Sequence, residues 1–128
     1  MEFRGFVDNG ALNCLSQYNY FMYFEDVKIH KKTIEKNILQ FWKNNCQKQL
    51  KKYDNYVIDF AVCGDNLDTI YVIELNPFMY STDGALFNWK NDDDRKIISN
   101  GPWEFRIIDK YIERPNIETK YKKILGWE

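Results

Sequence analysis

Two short runs rich in apolar residues, 2–8 (EFRGFVD) and 11–17 (ALNCLSQ), flank Asn9-Gly10. Asn-Gly accepts the two positive φ angles of a type I′ turn, so the runs are predicted to form a hairpin. With a two-residue turn and no irregularity, Arg4 faces Leu15 and Glu2 faces Gln17. Glu2, Arg4 and Phe6 then share one side of the first strand. After a polar and aromatic link, Tyr18 to Phe24, the period changes. Ile34, Ile38, Phe41, Trp42 and Cys46 recur every three or four residues, which predicts one long helix over roughly residues 28–50. Lysines and asparagines fill its other faces, as a solvated surface requires. Residues 55–63 (NYVIDFAVC) and 69–76 (TIYVIELN) are dense in Val, Ile, Tyr and Phe and read as two strands joined by a polar turn, Gly64 to Asp68. Pro77 offers no amide hydrogen and ends the pairing.

Ser81-Thr82-Asp83-Gly84 reads as an N-cap entering a short helix at ALFNW. Residues 90–95 (KNDDDR) read as a charged loop or helix end, 103–112 (WEFRIIDKYI) as a last strand, and 118–127 as a stretch with helical spacing at Tyr121, Ile124 and Leu125. No convincing internal repeat and no low-complexity segment interrupts the chain. The expected fold class is α+β, a largely antiparallel sheet covered by a long helix, in a single domain spanning 1–128.

Composition narrows the function. The 128 residues are 45% hydrophobic and 17% aromatic, enough to bury one core. Eighteen Lys plus Arg against 19 Asp plus Glu give a formal net charge of -1, so no whole-chain basic footprint draws nucleic acid or an anionic membrane. Cys14, Cys46 and Cys63 are odd in number and lack CxxC spacing. That argues against a disulfide framework or zinc knuckle and for a reducing, cytoplasmic setting. The single histidine, His30, excludes multi-histidine metal sites. Met1-Glu2-Phe3-Arg4 does not begin a signal peptide, and no run of ~18 apolar residues reads as a membrane span.

The sharpest chemistry lies on the strand pair 55–76. Glu74 and Asn76 are two apart, so both point to one side, roughly 7 Å apart along the strand. The turn places Asp59 opposite residue 73 or 74, and one register sets it beside Glu74. Asp59 interrupts Val57, Ile58, Phe60 and Ala61, and Glu74 interrupts Val72, Ile73 and Leu75. Like charges opposite each other destabilise a sheet, and a divalent cation removes that cost. Magnesium favours one or two carboxylates plus phosphate oxygens, and an amide oxygen is a suitable further ligand. Spacing alone leaves a second reading open, acids on the solvent face of a one-sided sheet. It equally leaves Arg4 as a surface cross-strand partner for a carboxylate.

Three blocks carry a resemblance: Glu2-Phe3-Arg4-x-Phe6-Val7 with Ser16-Gln17 downstream, Asp59 within VIDFAV, and VIELNPF followed by Thr82-Asp83-x-x-Leu86-Phe87-x-Trp89. In order and spacing they are similar to the C-terminal half of the cell division cycle protein 123 family, which has an ATP-grasp fold; WEFRII resembles a later segment. The resemblance implies that Asp59, Glu74 and Asn76 bind the magnesium ion (Mg2+) of ATP and that Arg4 lies near the triphosphate, where its fork of donors suits phosphate oxygens. It implies no catalytic residue. It implies a role in assembling translation initiation factor 2, with the gamma subunit or a separate N-terminal lobe as partner. The family commonly has Asp in place of Glu74, and an Arg after Ser-Gln, where this chain has Tyr18. The lobe that supplies lysines and an adenine hinge has no counterpart before Met1, so the expectation is a C-terminal lobe without its N-terminal lobe. Two alternatives stand beside this one: half of an ATP-dependent carboxylate–amine ligase, and a degenerate ATP-grasp remnant acting as a protein-binding module.

Overall fold

The structure is a computed structural model, and it describes residues 1–111. The hairpin forms as β1 (Glu2–Asp8) and β2 (Ala11–Gln17), with Asn9 and Gly10 both at positive φ. Its register differs from the expected one. Val7 and Asp8 pair with Leu12 and Ala11, but Arg4 faces Ser16, because Asn13 is an extra residue bulged out of β2. The bulged side chain has a partner, the carbonyl of Ile98, at 3.0 Å.

The single long helix expected over 28–50 is broken. A five-residue helix, α1 (Glu25–Ile29), precedes α2 (Lys31–Phe41), and His30 between them leaves helical geometry at φ -102°, ψ 18°. Beyond α2 the chain widens into a π-helical turn, Trp42–Cys46, closed by Gln47 N–H donating to the Trp42 carbonyl. The reason lies in the spacing. Ile34, Ile38, Trp42 and Cys46 are four apart throughout, and in an α-helix each such step drifts by about 40°. The wider turn brings Trp42 and Cys46 back over the sheet, where both are buried.

β3 (Asn55–Cys63) and β4 (Thr69–Asn76) have the expected bounds. The expected short helix at ALFNW is absent; a loop with a tight turn, Phe87 N–H to Gly84 carbonyl, replaces it. The helix lies further on, α3 (Asp92–Asn100), capped by the Asn91 side chain accepting from the Asp94 amide. The last strand shrinks to β5 (Glu104–Arg106). Residue 112 of that expected strand and the helical spacing at 118–127 lie outside the described residues.

The five strands order as β4-β3-β1-β2-β5. β1 to β4 pair antiparallel, but β5 joins β2 in parallel, so this α+β sheet is mixed. Two cores flank it. On one face Phe3, Leu15, Ile58 and Phe60 pack under Ile34, Ile38 and Trp42. On the other, Phe6, Cys14 and Val57 meet Ile98 of α3 and Phe87 of the 77–91 loop, with Trp89 at the margin. The sequence reading foresaw the first layer only. Cys14 and Cys46 are buried free thiols and Cys63 is exposed. Among the described residues no helix is long and apolar enough to cross a membrane.

Candidate functional site

β1 lies between β2 and β3, and this placement makes the site. Arg4 pairs directly with Asp59 across β1 and β3, and Asp59 pairs with Glu74 across β3 and β4. Ile73 is an extra residue in β4, so the pairing shifts just past Glu74. The structure therefore selects the register in which Asp59 stands beside Glu74. Arg4, Asp59 and Glu74 form one row across the second face of the sheet, and Asn76 lies two residues beyond Glu74 on the same side.

Burial is uneven along that row. Arg4 and Asp59 are buried, at 6% and 2% exposure, whereas Glu74 is open to solvent. The Arg4 guanidinium grips Asp59 with two bonds, Nε to Oδ1 at 2.8 Å and one Nη to Oδ2 at 3.0 Å. This is the fork-on-carboxylate geometry in which charge and shape agree. Its other Nη donates to the Asp83 carbonyl at 2.8 Å, and the group lies 5.0 Å from the centre of the Tyr18 ring. The bond to Asp59 raises the Arg4 pKa above its ordinary value, against the opposing effect of burial. The acid pair is thus partly relieved by Arg4, in a buried form of the cross-strand pair that spacing left open.

Asn76 completes the row. Its Nδ2 is 3.3 Å from Asp59 Oδ2 and 3.2 Å from Glu74 Oε1, so two carboxylates from neighbouring strands converge on one atom. Arg4 and Asn76 together take up Asp59 Oδ2, Asp59 Oδ1 keeps a lone pair beside its Arg4 bond, and Glu74 faces water. Among the described residues no three or more His, Cys, Asp or Glu side chains cluster to hold a metal ion. The donor set is two carboxylates and an amide. Asn76 turns its Nδ2 to both carboxylates, so a magnesium ion would need that amide turned over to gain a third hard oxygen; with it turned, the set suits magnesium and no soft metal.

The loop after β4 is tied to the same row. Thr82 Oγ1 donates to the Pro77 carbonyl at 2.7 Å, and Trp89 Nε1 to the Thr82 carbonyl at 2.7 Å. Ser16 Oγ accepts from the Leu86 amide at 3.0 Å, so β2 as well as Arg4 holds this loop. Phe6 meets Phe87 and Trp89 edge-on, with centroids 5.8 and 5.7 Å apart. The chain's spaced blocks, the Arg4 strand, Ser16-Gln17, the Asp59 strand and the Thr82 to Trp89 loop, therefore meet at one place.

Sequence reasoning missed three participants. In the sequence Tyr18 stands out only as a departure from Arg, yet its ring covers Arg4. The sequence pattern makes Asp83 part of a helix cap, yet its carbonyl holds Arg4 and its carboxylate accepts from Tyr20 Oη at 2.9 Å. Ser16 carried no signal beyond its place in a motif. A neighbouring knot, Arg106 with Asp94 at 2.8 Å and Glu104 at 2.9 Å, pins β5 to α3. Arg106 holds the Asp94 carboxyl below the ordinary range. A cleft of about 1010 Å³ opens beside Arg4, but Asp59, Glu74 and Asn76 do not line it.

Residues 1–124 match the family described as D123. Over 89 residues the chain is 34% identical to the translation initiation factor eIF2 assembly protein of Danio rerio, covering 70% of this chain and 25% of that protein. The Xenopus tropicalis protein of the same name is 35% identical over 88 residues, covering 69% and 25%. In Candida albicans the figures are 29% over 111 residues, covering 84% and 31%. The chain spans about a quarter of the length of the first curated relatives it matches. Among solved structures, Cdc123 from Schizosaccharomyces pombe aligns with a TM-score of 0.64 at 29% identity, over 85% of this chain and 41% of that one. Its C-terminally truncated form gives 0.66 at 30% identity, over 85% and 40%. With three spaced motifs meeting in space and a family match over nearly its whole length, the chain belongs to the D123 family, that of Cdc123.

Proposed function

We propose that this chain is a Mg-ATP-binding module of an eIF2 assembly factor, built like the C-terminal lobe of an ATP-grasp domain. The names of the relatives support the assembly role. The observation that carries the nucleotide reading is the placement of the Asp59 and Glu74 carboxylates side by side on neighbouring strands, with the Asn76 side chain within 3.3 Å of both. In this reading Asp59, Glu74 and Asn76 hold the magnesium, and Arg4 is the cation nearest the phosphates. Magnesium would supply the positive charge that lets a triphosphate approach two carboxylates. The chain's own part is positional: Arg4 fixes the Asp59 carboxylate, and the Asp83 carbonyl fixes Arg4. The partner would be eIF2, through its gamma subunit, together with a polypeptide supplying the rest of the nucleotide site.

Calorimetric titration of ATP into the chain tests this. Saturable binding with magnesium, lost with EDTA and weakened at least about tenfold by Glu74→Gln, supports it. No binding in the presence of the partner polypeptide would sink it.

A second reading has its own support. Arg4 already neutralises Asp59, so the acid pair persists without metal, as a nucleotide-free protein-binding module would allow. In that case eIF2 capture is unchanged by Glu74→Gln and by EDTA.

A further inference from the structure

The cleft beside Arg4 is chemically unlike the magnesium row. Its rim carries the carboxylates of Glu2, Glu25, Asp26 and Asp83, all exposed. Among the described residues none of the four is in an ion pair. Arg4 is the only Lys, Arg or His side chain among the described lining residues, and Asp59, the Asp83 carbonyl and the Tyr18 ring take it up. The Met1 ammonium donates to the Val62 carbonyl at 3.3 Å.

Aromatic rings supply the walls: Tyr18, Tyr20, Phe21, Tyr23 and Phe24. Tyr20 is held in place by Asp83 at 2.9 Å and lies tilted against Phe21, with ring centroids 4.2 Å apart. Phe24 is more than a third exposed. A phosphate entering here without a metal would face four carboxylates and one guanidinium already bonded to Asp59, so the cleft disfavours free anions. A cation on a long apolar stem meets the opposite situation. Its stem covers ring surface, and its head lies within reach of exposed carboxylates.

We propose that this cleft is a docking groove for a Lys/Arg-rich segment of a partner protein. Lys and Arg stems lie on the Tyr20 and Phe24 rings, and their heads reach Glu25, Asp26, Glu2 and Asp83. The assignment rests on charge complementarity and stands whether or not the neighbouring row binds nucleotide.

Anisotropy of a short fluorescein-labelled peptide of alternating Arg and Ser, titrated with the whole chain, tests the groove. Glu25→Lys with Asp26→Lys should weaken binding about tenfold. The same charge change at Asp65 and Asp68, in the exposed β3–β4 turn, should alter it by less than about twofold. Glu25 and Asp26 also sit in the first turn of α1, so Glu2→Lys on β1 repeats the test without touching a helix, with about a threefold loss expected. Phe24→Ala should weaken binding severalfold. Equal losses from the rim pair and the turn pair would show general electrostatics and overturn the proposal, as would equal binding of an alternating Glu-Ser peptide. If reversing Lys120, Lys122 and Lys123 to Glu raises affinity about tenfold, the chain's own basic run competes for the groove, and the assignment to a partner falls.

Discussion

Asp59→Asn separates structural charge from functional charge in the row. Asp59 is the counter-charge of a guanidinium whose side chain is 8% exposed, and its own side chain is 2% exposed. Removing one member of a buried, hydrogen-bonded ion pair strands the other, at a cost of about 3–5 kcal/mol. Asn keeps the shape and one acceptor, and the Asp83 carbonyl and Tyr18 ring still attend Arg4. The expected loss is therefore at the lower end, about 3 kcal/mol. For a domain of this size that lowers Tm by about 10–15 °C. Glu74→Gln stands in contrast. Glu74 is exposed, and among the described residues its side chain is bonded to Asn76, at 3.2 Å. Its removal should change stability by less than about 0.5 kcal/mol. Urea unfolding followed by fluorescence of the four tryptophans measures both. Replacing the whole pair, Arg4→Met with Asp59→Leu, should recover most of the loss, since no charge is then left buried. If Asp59→Asn costs under about 1 kcal/mol, or matches Glu74→Gln, the reading of Arg4–Asp59 as a stabilising buried pair is wrong.

Three further outcomes follow from the packing around the row. Gly84→Ala should destabilise severely, because its Cβ would stand 2.1 Å from the Phe87 carbonyl oxygen, a backbone atom that cannot swing aside; a loss of about 3 kcal/mol or an insoluble product is expected, read by thermal unfolding. Asn13→Ala should cost about 1–2 kcal/mol by urea unfolding, since it removes the bond from the β2 bulge to the buried Ile98 carbonyl. Asp94 is held below the ordinary carboxyl range chiefly by its bond to Arg106. Its contribution is therefore fully present above the unfolded value, about 3.9, and is lost as pH falls through the lower folded value. Asp94→Asn should flatten that part of the acid limb of stability against pH and leave the slope near pH 7 unchanged.

The parts of the fold legible in the sequence were those governed by local rules. β3 and β4 are dense in β-branched and aromatic residues and end at a Gly-bearing turn and a proline, so their bounds were readable. Asn9-Gly10 fixed the hairpin turn by its φ preference. The features that were missed depend on distant partners. The Asn13 bulge shifts the hairpin register, and its side chain's partner, the Ile98 carbonyl, is 85 residues away. α3 was hidden because Asp92 to Asp94 resemble a loop, although Asn91 three residues before Asp94 was a readable capping signal. The break at His30 gave no local sign. The π-helical turn did give one: a strict spacing of four from Ile34 to Cys46 does not stay on one face of an α-helix. For the site, the Asp59–Glu74 neighbourhood was available as one of two registers. The Arg4–Asp59 pair was not, because nothing local says that the first strand lies between its hairpin partner and β3.

Paramagnetic manganese tests the magnesium assignment most directly, since it takes the same oxygen ligands and broadens nearby nuclear resonances. With ATP present and Mn2+ added in trace amounts, the Asn76 side-chain amide and the Glu74 and Asp59 backbone amides should broaden first. Excess Mg2+ should restore them, and Glu74→Gln should abolish the effect. Broadening centred on the exposed acids of the β3–β4 turn or of α3, with the Asn76 amide untouched, would contradict the assignment.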